Sequence, residues 1–129
     1  MNKILVEVSV GELLDKVSIL EIKKEKIKDP EKLKFIENEH SILTEQLNKN
    51  VKTDQKLNDL FLTLKNINAK LWVIEDDKRQ CEKDKEFSDK FVKLSRDVHF
   101  LNDDRAKIKL EINNHTGSVI KEIKEYTSY

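Results

Sequence analysis

The sequence predicts an all-α protein in which two long helices form an antiparallel coiled-coil hairpin and two shorter helices pack against it. Charged residues make up 39% of the chain, with 25 acidic and 25 basic side chains. Two glycines and one proline leave few points where the chain can turn sharply. Apolar residues also recur at spacings of three and four over two long stretches, which is typical of amphipathic helices. The length suits one domain, so we expect a single helical domain over residues 1–129.

The N-terminal segment predicts a short strand followed by a helix start. Ile4, Val6 and Val8 alternate with their neighbours over the first eight residues, and this alternation has the period of a strand. Ser9 and Glu12 then have the spacing of a capping box, in which Ser9 caps the helix and Glu12 reaches back to the cap residue. The first helix is therefore predicted over about residues 10–28.

A proline marks the start of the second helix. Because Pro30 is tolerated at the first position of a helix, Asp29 and Pro30 end helix 1 and begin helix 2. Helix 2 is predicted over about residues 30–48, with His40 interrupting its apolar stripe. The polar segment that follows contains Thr53 and Asp54, either of which can cap the third helix.

The third and fourth helices have the most regular patterns in the chain. Apolar spacings of three and four alternate from Leu57 to Cys81 and again from Phe87 to Ile112. They predict helices over about residues 54–84 and 88–115. Such sustained heptads favour coiled-coil packing, and the short connection makes the two helices antiparallel neighbours.

The seam of this hairpin has two polar exceptions, and one of its edges suggests a register. Lys78 and Arg105 occupy seam positions. At the far end of the hairpin, Gly117 is placed to end the fourth helix in a left-handed conformation. If the turn centres near Asp84, oppositely charged residues face each other along one edge. The predicted pairs are Asp77 with Lys90, Lys70 with Asp97, and Lys56 with Glu111.

A second apolar surface remains outside the predicted seam. Its members are Leu62, Ala69, Trp72, Val73, Val92, Phe100, Ala106 and Leu110. If helices 1 and 2 are too short to cover it, a second subunit must, so we expect a homo-oligomer, with a dimer favoured. For the tail after Gly117 two alternatives stay open: a strand paired with the N-terminal one, or an irregular arm.

Several classes of function lack support in the composition. Net charge is zero and no block of like charges occurs, so we expect no nucleic-acid partner. No apolar stretch is long enough to span a membrane, and the N-terminal apolar run is too short for a signal peptide. The single cysteine, Cys81, excludes an internal disulfide and fits a reducing compartment, so a cytoplasmic location is expected.

Candidate metal motifs are incomplete. Glu37 and His40 have the spacing used in di-iron bundles, but the chain has no second pair of this kind. Acidic pairs spaced as in helical nucleotide pyrophosphohydrolases begin at Glu12 and at Glu86, on distant segments. We therefore expect no metal, no cofactor and no catalytic residue. Cys81 is interpreted as a core residue rather than a nucleophile.

The chain resembles a family of small helical proteins of unknown function that is known from bacteria and from phages of marine bacteria. The resemblance is carried by Val10–Lys16, by Leu71–Trp72 with Ile74–Asp77, by Arg96–Val98, and by Asn102–Asp103 with Arg105–Ala106, Lys109 and Ile112–Asn113. It implies no activity, but many of the matching residues are polar, which implies a candidate ligand-binding surface. The candidate residues are Glu75, Asp76, Arg79, Arg96, Asn102, Arg105 and Lys109.

Two hypotheses for function follow. The first is a structural or interaction protein, a homo-oligomeric helical module that binds a partner protein, and it is favoured over an enzyme. The alternative is a binding protein or enzyme for an anionic small molecule, such as a nucleotide or a sugar phosphate, with Arg96, Arg105 and Lys109 as anion contacts. Arg105 itself has two readings: a guanidinium awaiting an anion, or one that pairs with Asp104 or a neighbouring helix.

Overall fold

The computed structural model describes residues 2–128, in which four helices and no strands are formed. Helix α1 spans Val10–Lys26, α2 spans Pro30–Asn50, α3 spans Gln55–Lys83 and α4 spans Asp89–Thr116. The all-α prediction is confirmed, and each helix begins and ends within two residues of its predicted bounds.

Local signals explain where the helices begin and end. Ser9, Asp29 and Asp54 are the N-cap residues of α1, α2 and α3, and each side chain accepts a hydrogen bond from a backbone N–H of the first turn. Gly117 ends α4 with φ 68°, in the left-handed region where glycine has no steric penalty. Lys85 also has positive φ, 56°, in the turn between α3 and α4.

Helices α3 and α4 form the antiparallel hairpin, joined by five residues. The α3 seam residues that are buried are Leu57, Leu60, Leu64, Ile67, Leu71 and Cys81. On α4, Ile112 is buried, whereas the seam residues nearer the hairpin turn are half-buried or exposed. None of the three predicted edge pairs is formed in the part of the chain that the structure describes. Asp97 instead pairs with Lys93 on its own helix, at 2.7 Å. An exposed ion pair contributes too little free energy to fix the register of two helices, so the predicted charge pairs do not determine how the helices align.

Helix α1 crosses one end of the hairpin. Its first turn contacts α4 through Gly11, which lies against Lys109 and Asn113. Its last turns contact α3, where Lys65 Nζ lies 3.3 Å from Glu21 Oε1. The core cluster lies beneath α1 at this end and contains Leu14, Leu57, Leu60, Leu64 and Ile112. At about 1.5 Å per residue, α1 is roughly 25 Å long and α3 roughly 43 Å long, so α1 cannot cover the whole hairpin.

Helix α2 is an outer layer that packs along α1 rather than on the hairpin. The predicted stripe faces α1: Ile36 is buried, and His40 Nε2 lies 3.6 Å from Glu21 Oε2 of α1. Only Leu47, near the end of α2, and Val51, just after it, reach the core cluster. Phe35 on the opposite face is 79% exposed.

The terminal segments form no strand within residues 2–128, so the predicted N-terminal strand and its pairing with the tail are not present in the single chain. Met1 and Tyr129, the outer ends of these two segments, lie outside the described residues. The alternation of Ile4, Val6 and Val8 satisfies the side-chain pattern of a strand, but a strand also needs a neighbour for its backbone groups. No described helix is both long enough and apolar enough to cross a membrane.

Candidate functional site

A buried carboxylate on α1 binds the polar residue at the hairpin seam. The Asp15 side chain is 2% exposed. Its Oδ1 accepts a hydrogen bond from Arg105 Nε at 3.0 Å, and its Oδ2 accepts a second from Arg105 Nη2. This is the two-pronged geometry that suits a guanidinium and a carboxylate. The hydrogen bonds to Asp15 raise the pKa of Arg105 against the opposing effect of burial. Arg105 therefore pairs with a neighbouring helix, as one of the two readings predicts, but its partner is Asp15 and not Asp104.

Two further polar residues complete this buried junction. Asn68 of α3 donates through Nδ2 to Asp15 Oδ1 and to Ser18 Oγ, both at 2.8 Å. Ser18 Oγ donates in turn to the backbone oxygen of Asp15, at 2.8 Å. Both Asn68 and Ser18 are buried, and these hydrogen bonds supply partners for polar groups that the three helices remove from water at the junction. The network joins α1, α3 and α4 at a single point.

A glycine lets α1 approach α4 closely enough for this junction. A Cβ atom on Gly11 would lie 2.6 Å from the backbone oxygen of Lys109, so no larger residue fits without a shift. The Gly11 N–H donates to Asn113 Oδ1 at 2.7 Å, and the Val10 N–H donates to Ser118 Oγ at 3.2 Å. The free N–H groups at the start of α1 are thus satisfied by α4 and by the residue that follows its C-cap.

A second charged cluster surrounds Lys109, next to the junction. Its Nζ lies 2.8 Å from Glu12 Oε2 and 3.0 Å from Glu122 Oε2, and 4.0 Å from the buried Asp15. Burial lowers the pKa of Lys109, but the hydrogen bonds to Glu12 and Glu122 outweigh it and the pKa is raised. The capping-box prediction for Glu12 is therefore wrong, because its carboxylate binds Lys109 of α4. Ser9 still caps α1.

A cavity of about 1220 Å³ lies between α4 and the C-terminal tail, beside these two clusters. The tail forms one wall and is held against α4 by two ion pairs, Glu122 with Lys109 at 3.0 Å and Lys124 with Asp103 at 3.3 Å. The α4 wall is partly apolar, and its apolar members are Phe100, Ala106 and Leu110. The tail adds Ile123 and Tyr126.

The structure brings together four of the seven residues that the sequence singles out. Arg96, Asn102, Arg105 and Lys109 all line this cavity. The remaining three, Glu75, Asp76 and Arg79, are exposed on α3 and are not part of its lining.

Several site residues are absent from the sequence candidates: Glu12, Asp15, Ser18, Asn68, Asn113 and Glu122. The spacing of Gly11, Asp15, Ser18 and Ile22 is itself helical, and all four are buried. This stripe faces the hairpin. The apolar stripe that includes Val17 and Leu20 adjoins it on the helix, so α1 has two buried faces. Because the first stripe contains small and polar residues, a search for apolar periodicity does not detect it.

The charges that the described residues place around the cavity balance. Four cationic side chains line it, namely Arg96, Arg105, Lys109 and Lys124. Four carboxylates line it as well, namely Glu12, Asp103, Glu122 and Glu125. Arg105, Lys109 and Lys124 already have carboxylate partners, so most of the positive charge is neutralised within the chain. This arrangement can orient a polar ligand or peptide, but it does not concentrate positive charge as a strong anion site requires.

Comparison with known proteins gives a family without an assigned activity. No curated protein matches the chain, and no solved structure matches it. Residues 4–129 match a family of unknown function, DUF6165. Because the match spans nearly the whole sequence, including the junction, the cavity and both terminal segments, the protein belongs to this family of unknown function, DUF6165.

Proposed function

We propose that the protein is a cytoplasmic, non-catalytic interaction module that self-associates and binds a partner protein through the uncovered half of its α3–α4 hairpin. One observation carries this proposal. The hydrogen bonds, ion pairs and core cluster that join α1 to the hairpin involve α3 residues no further than Asn68 and α4 residues from Arg105 onward. The remaining length, about residues 69–101 with the turn, is called the hairpin arm below.

The arm exposes apolar side chains that a lone hairpin cannot bury. Val73 on α3 and Val92 on α4 are each about half exposed, and Phe87 beside the turn is similar. Trp72, the only tryptophan, is half-buried on the same arm. Two helices have only one mutual interface, so the outer faces stay in water unless another chain covers them.

The chemistry of the arm suits an interface better than an active site. Aromatic and aliphatic side chains lie among charged ones, which is the composition of a protein contact with a polar rim. Glu75, Asp76 and Arg79 are exposed on this arm and would form part of that rim. The Asp15–Arg105 junction then has a structural task, which is to hold α1 on the base of the hairpin while the arm projects.

Sedimentation equilibrium of matched variants tests the proposal. Val73→Asp places a charge on the arm, and we expect it to raise the dissociation constant of self-association about tenfold or more, equivalent to 1.4 kcal/mol or more. Phe35→Asp is the control, because Phe35 is equally apolar and more exposed but lies on α2. The proposal fails if the wild-type chain is a monomer at all concentrations, or if both variants weaken association equally.

The convergence of Arg96, Asn102, Arg105 and Lys109 on one cavity supports a second candidate, a binding site for a nucleotide or sugar phosphate. The balanced lining argues against it, as does the engagement of Arg105 and Lys109 by carboxylates. A thermal-unfolding screen with nucleotides and sugar phosphates decides it, since a ligand at 100 times its dissociation constant adds about 2.7 kcal/mol of stability. Unchanged melting temperatures with all of these compounds would eliminate this candidate.

A further inference from the structure

Both terminal segments have the side-chain pattern of a strand but no strand neighbour. Over the described residues 2–8 and 119–128, no backbone N–H or C=O forms a backbone–backbone hydrogen bond. Their apolar side chains are unusually exposed: Ile4 is 85% exposed and Ile123 is 80% exposed. Exposed extended segments with β-branched residues are templates for pairing with another chain.

We infer that the C-terminal tail, residues 118–128, pairs through its free backbone groups with the N-terminal arm, residues 2–8, of a second copy of this chain. The two segments would form an antiparallel pair of β-strands. This interface is separate from the hairpin arm, and either one can fail without the other. The mode of recognition is strand addition, in which backbone hydrogen bonds supply affinity and alternate side chains supply specificity.

The tail already lies in a suitable orientation on α4. Glu122 and Lys124 point toward the helix, where they pair with Lys109 and Asp103. Ile123, between them, is 80% exposed although it also contributes to the cavity lining. Lys121 also reaches α4, where its Nζ donates to Asn114 Oδ1 at 2.8 Å. The contacts of the tail with α4 are thus made by side chains, and its backbone groups stay available to another segment that runs alongside it.

Charge complementarity selects one antiparallel register. In that register two pairs on one face of the two segments are opposite in charge and the pair between them is apolar, which are favourable cross-strand combinations. The pairs are Lys3 with Glu125, Leu5 with Ile123, and Glu7 with Lys121. Shifting the strand by two residues in either direction destroys both charge pairs, since Leu5 then faces Lys121 or Glu125.

The inward face of the arriving strand matches the cavity. In this register Ile4, Val6 and Val8 point toward α4, on the side where Phe100 and Leu110 line the cavity. A strand there would bury apolar side chains that both segments now leave in water. A volume of about 1220 Å³ is large enough for several such side chains.

The position of the N-terminal arm favours pairing with the tail of a second copy over pairing with the tail of the same chain. Val10 N–H lies 3.2 Å from Ser118 Oγ, so the two segments leave the fold at neighbouring points. Among the described residues, however, no hydrogen bond or ion pair joins residues 2–8 to the tail of the same chain, and Ile4, Leu5 and Val6 are 73–85% exposed. Seven extended residues reach roughly 23 Å, which is enough to lie on the tail of a neighbouring molecule.

Disulfide trapping between two single-cysteine variants tests this inference. Leu5→Cys and Ile123→Cys protein are mixed and oxidised mildly, with Cys81 retained because it is buried. Facing positions in paired strands are within disulfide range, so we expect a covalent heterodimer of twice the chain mass. The control mixture is Ile4→Cys with Ile123→Cys, in which the two thiols point to opposite faces. We expect its yield to be lower by about tenfold, because a one-residue shift reverses side-chain direction.

Each other outcome overturns the inference. Equal yields from the two mixtures would mean that the segments collide without pairing. A Leu5→Cys/Ile123→Cys double variant that links only within one chain would mean that the tail binds its own arm. The readout is independent of the hairpin arm, so the same mixtures made in the Val73→Asp background should give the same heterodimer.

Discussion

Asp15 and Arg105 are 90 positions apart in the sequence, yet the Asp15 carboxylate accepts two hydrogen bonds from the Arg105 guanidinium. The carboxylate is almost completely buried, whereas the arginine is partly exposed at the wall of the cavity. The pair therefore fixes α1 across the base of the hairpin and leaves one face of the guanidinium toward the tail.

The first prediction concerns this ion pair. Arg105→Met leaves a buried carboxylate without its main partner, so we expect the free energy of unfolding to fall by about 3 kcal/mol. Arg79→Met, on the exposed face of α3, should change it by less than about 0.5 kcal/mol. Urea unfolding measures both.

A double-mutant cycle separates the ion pair from other effects of the substitution. With Asp15→Asn as the second change, we expect a coupling energy of about 2 kcal/mol between Asp15 and Arg105. The same cycle on Asp77 and Lys90 should give a coupling near zero, because these residues form no ion pair. Equal coupling in the two cycles would contradict the structure.

The second prediction concerns the close contact of α1 with α4. Helix propensity alone predicts that Gly11→Ala stabilises α1 by about 1 kcal/mol. The contact of 2.6 Å that its Cβ would make with the Lys109 backbone oxygen predicts the opposite sign, a loss of about 1–3 kcal/mol. Thermal or urea unfolding decides between them, and a stabilised Gly11→Ala variant would show that α1 does not approach α4 so closely.

The third prediction concerns acid stability. Hydrogen bonds from the Leu57 backbone and from His115 lower the pKa of Asp54 below its ordinary 3.8. Since the pKa of Asp54 is lower in the folded state than in the unfolded state, its ionised form stabilises the fold. This contribution to the free energy of unfolding is complete above pH 3.8 and is lost as the pH falls through the lowered pKa.

Asp54→Ser is the matched variant for that prediction. Serine can also cap α3, but it does not titrate. Stability measured from pH 6 down to pH 2 should therefore fall less steeply for Asp54→Ser than for the wild type. If stability depends on pH equally in Asp54→Ser and in the wild type, the ionisation of Asp54 does not stabilise the folded state.

The helix bounds could be predicted because their signals are local. Ser9, Pro30, Asp54 and Gly117 act within one turn of their own positions, and the apolar spacing needs no knowledge of other segments. The Asp15–Arg105 junction could not be found this way. Its residues are polar and lie on different helices. Asp and Arg usually lie at the protein surface, and no local pattern in the sequence indicates that two such distant residues pair.

The incorrect predictions have a related cause. Lys56 and Glu111 have opposite charges and matching predicted positions, but exposed ion pairs are too weak to impose a register. The alternation of Ile4, Val6 and Val8 describes side chains only, whereas a strand is completed by a neighbouring backbone. The structure of one chain offers none.

The most direct test of the account is the fluorescence of Trp72 as a function of protein concentration. Trp72 is the only tryptophan and lies half-buried on the hairpin arm, so its emission reports whether another chain covers that surface. If self-association occurs through the arm, dilution should shift the emission to longer wavelength, with a midpoint that Val73→Asp moves to higher concentration and Phe35→Asp leaves unchanged. An emission maximum that stays constant while sedimentation shows a change in mass would contradict the assignment of the arm as the interface.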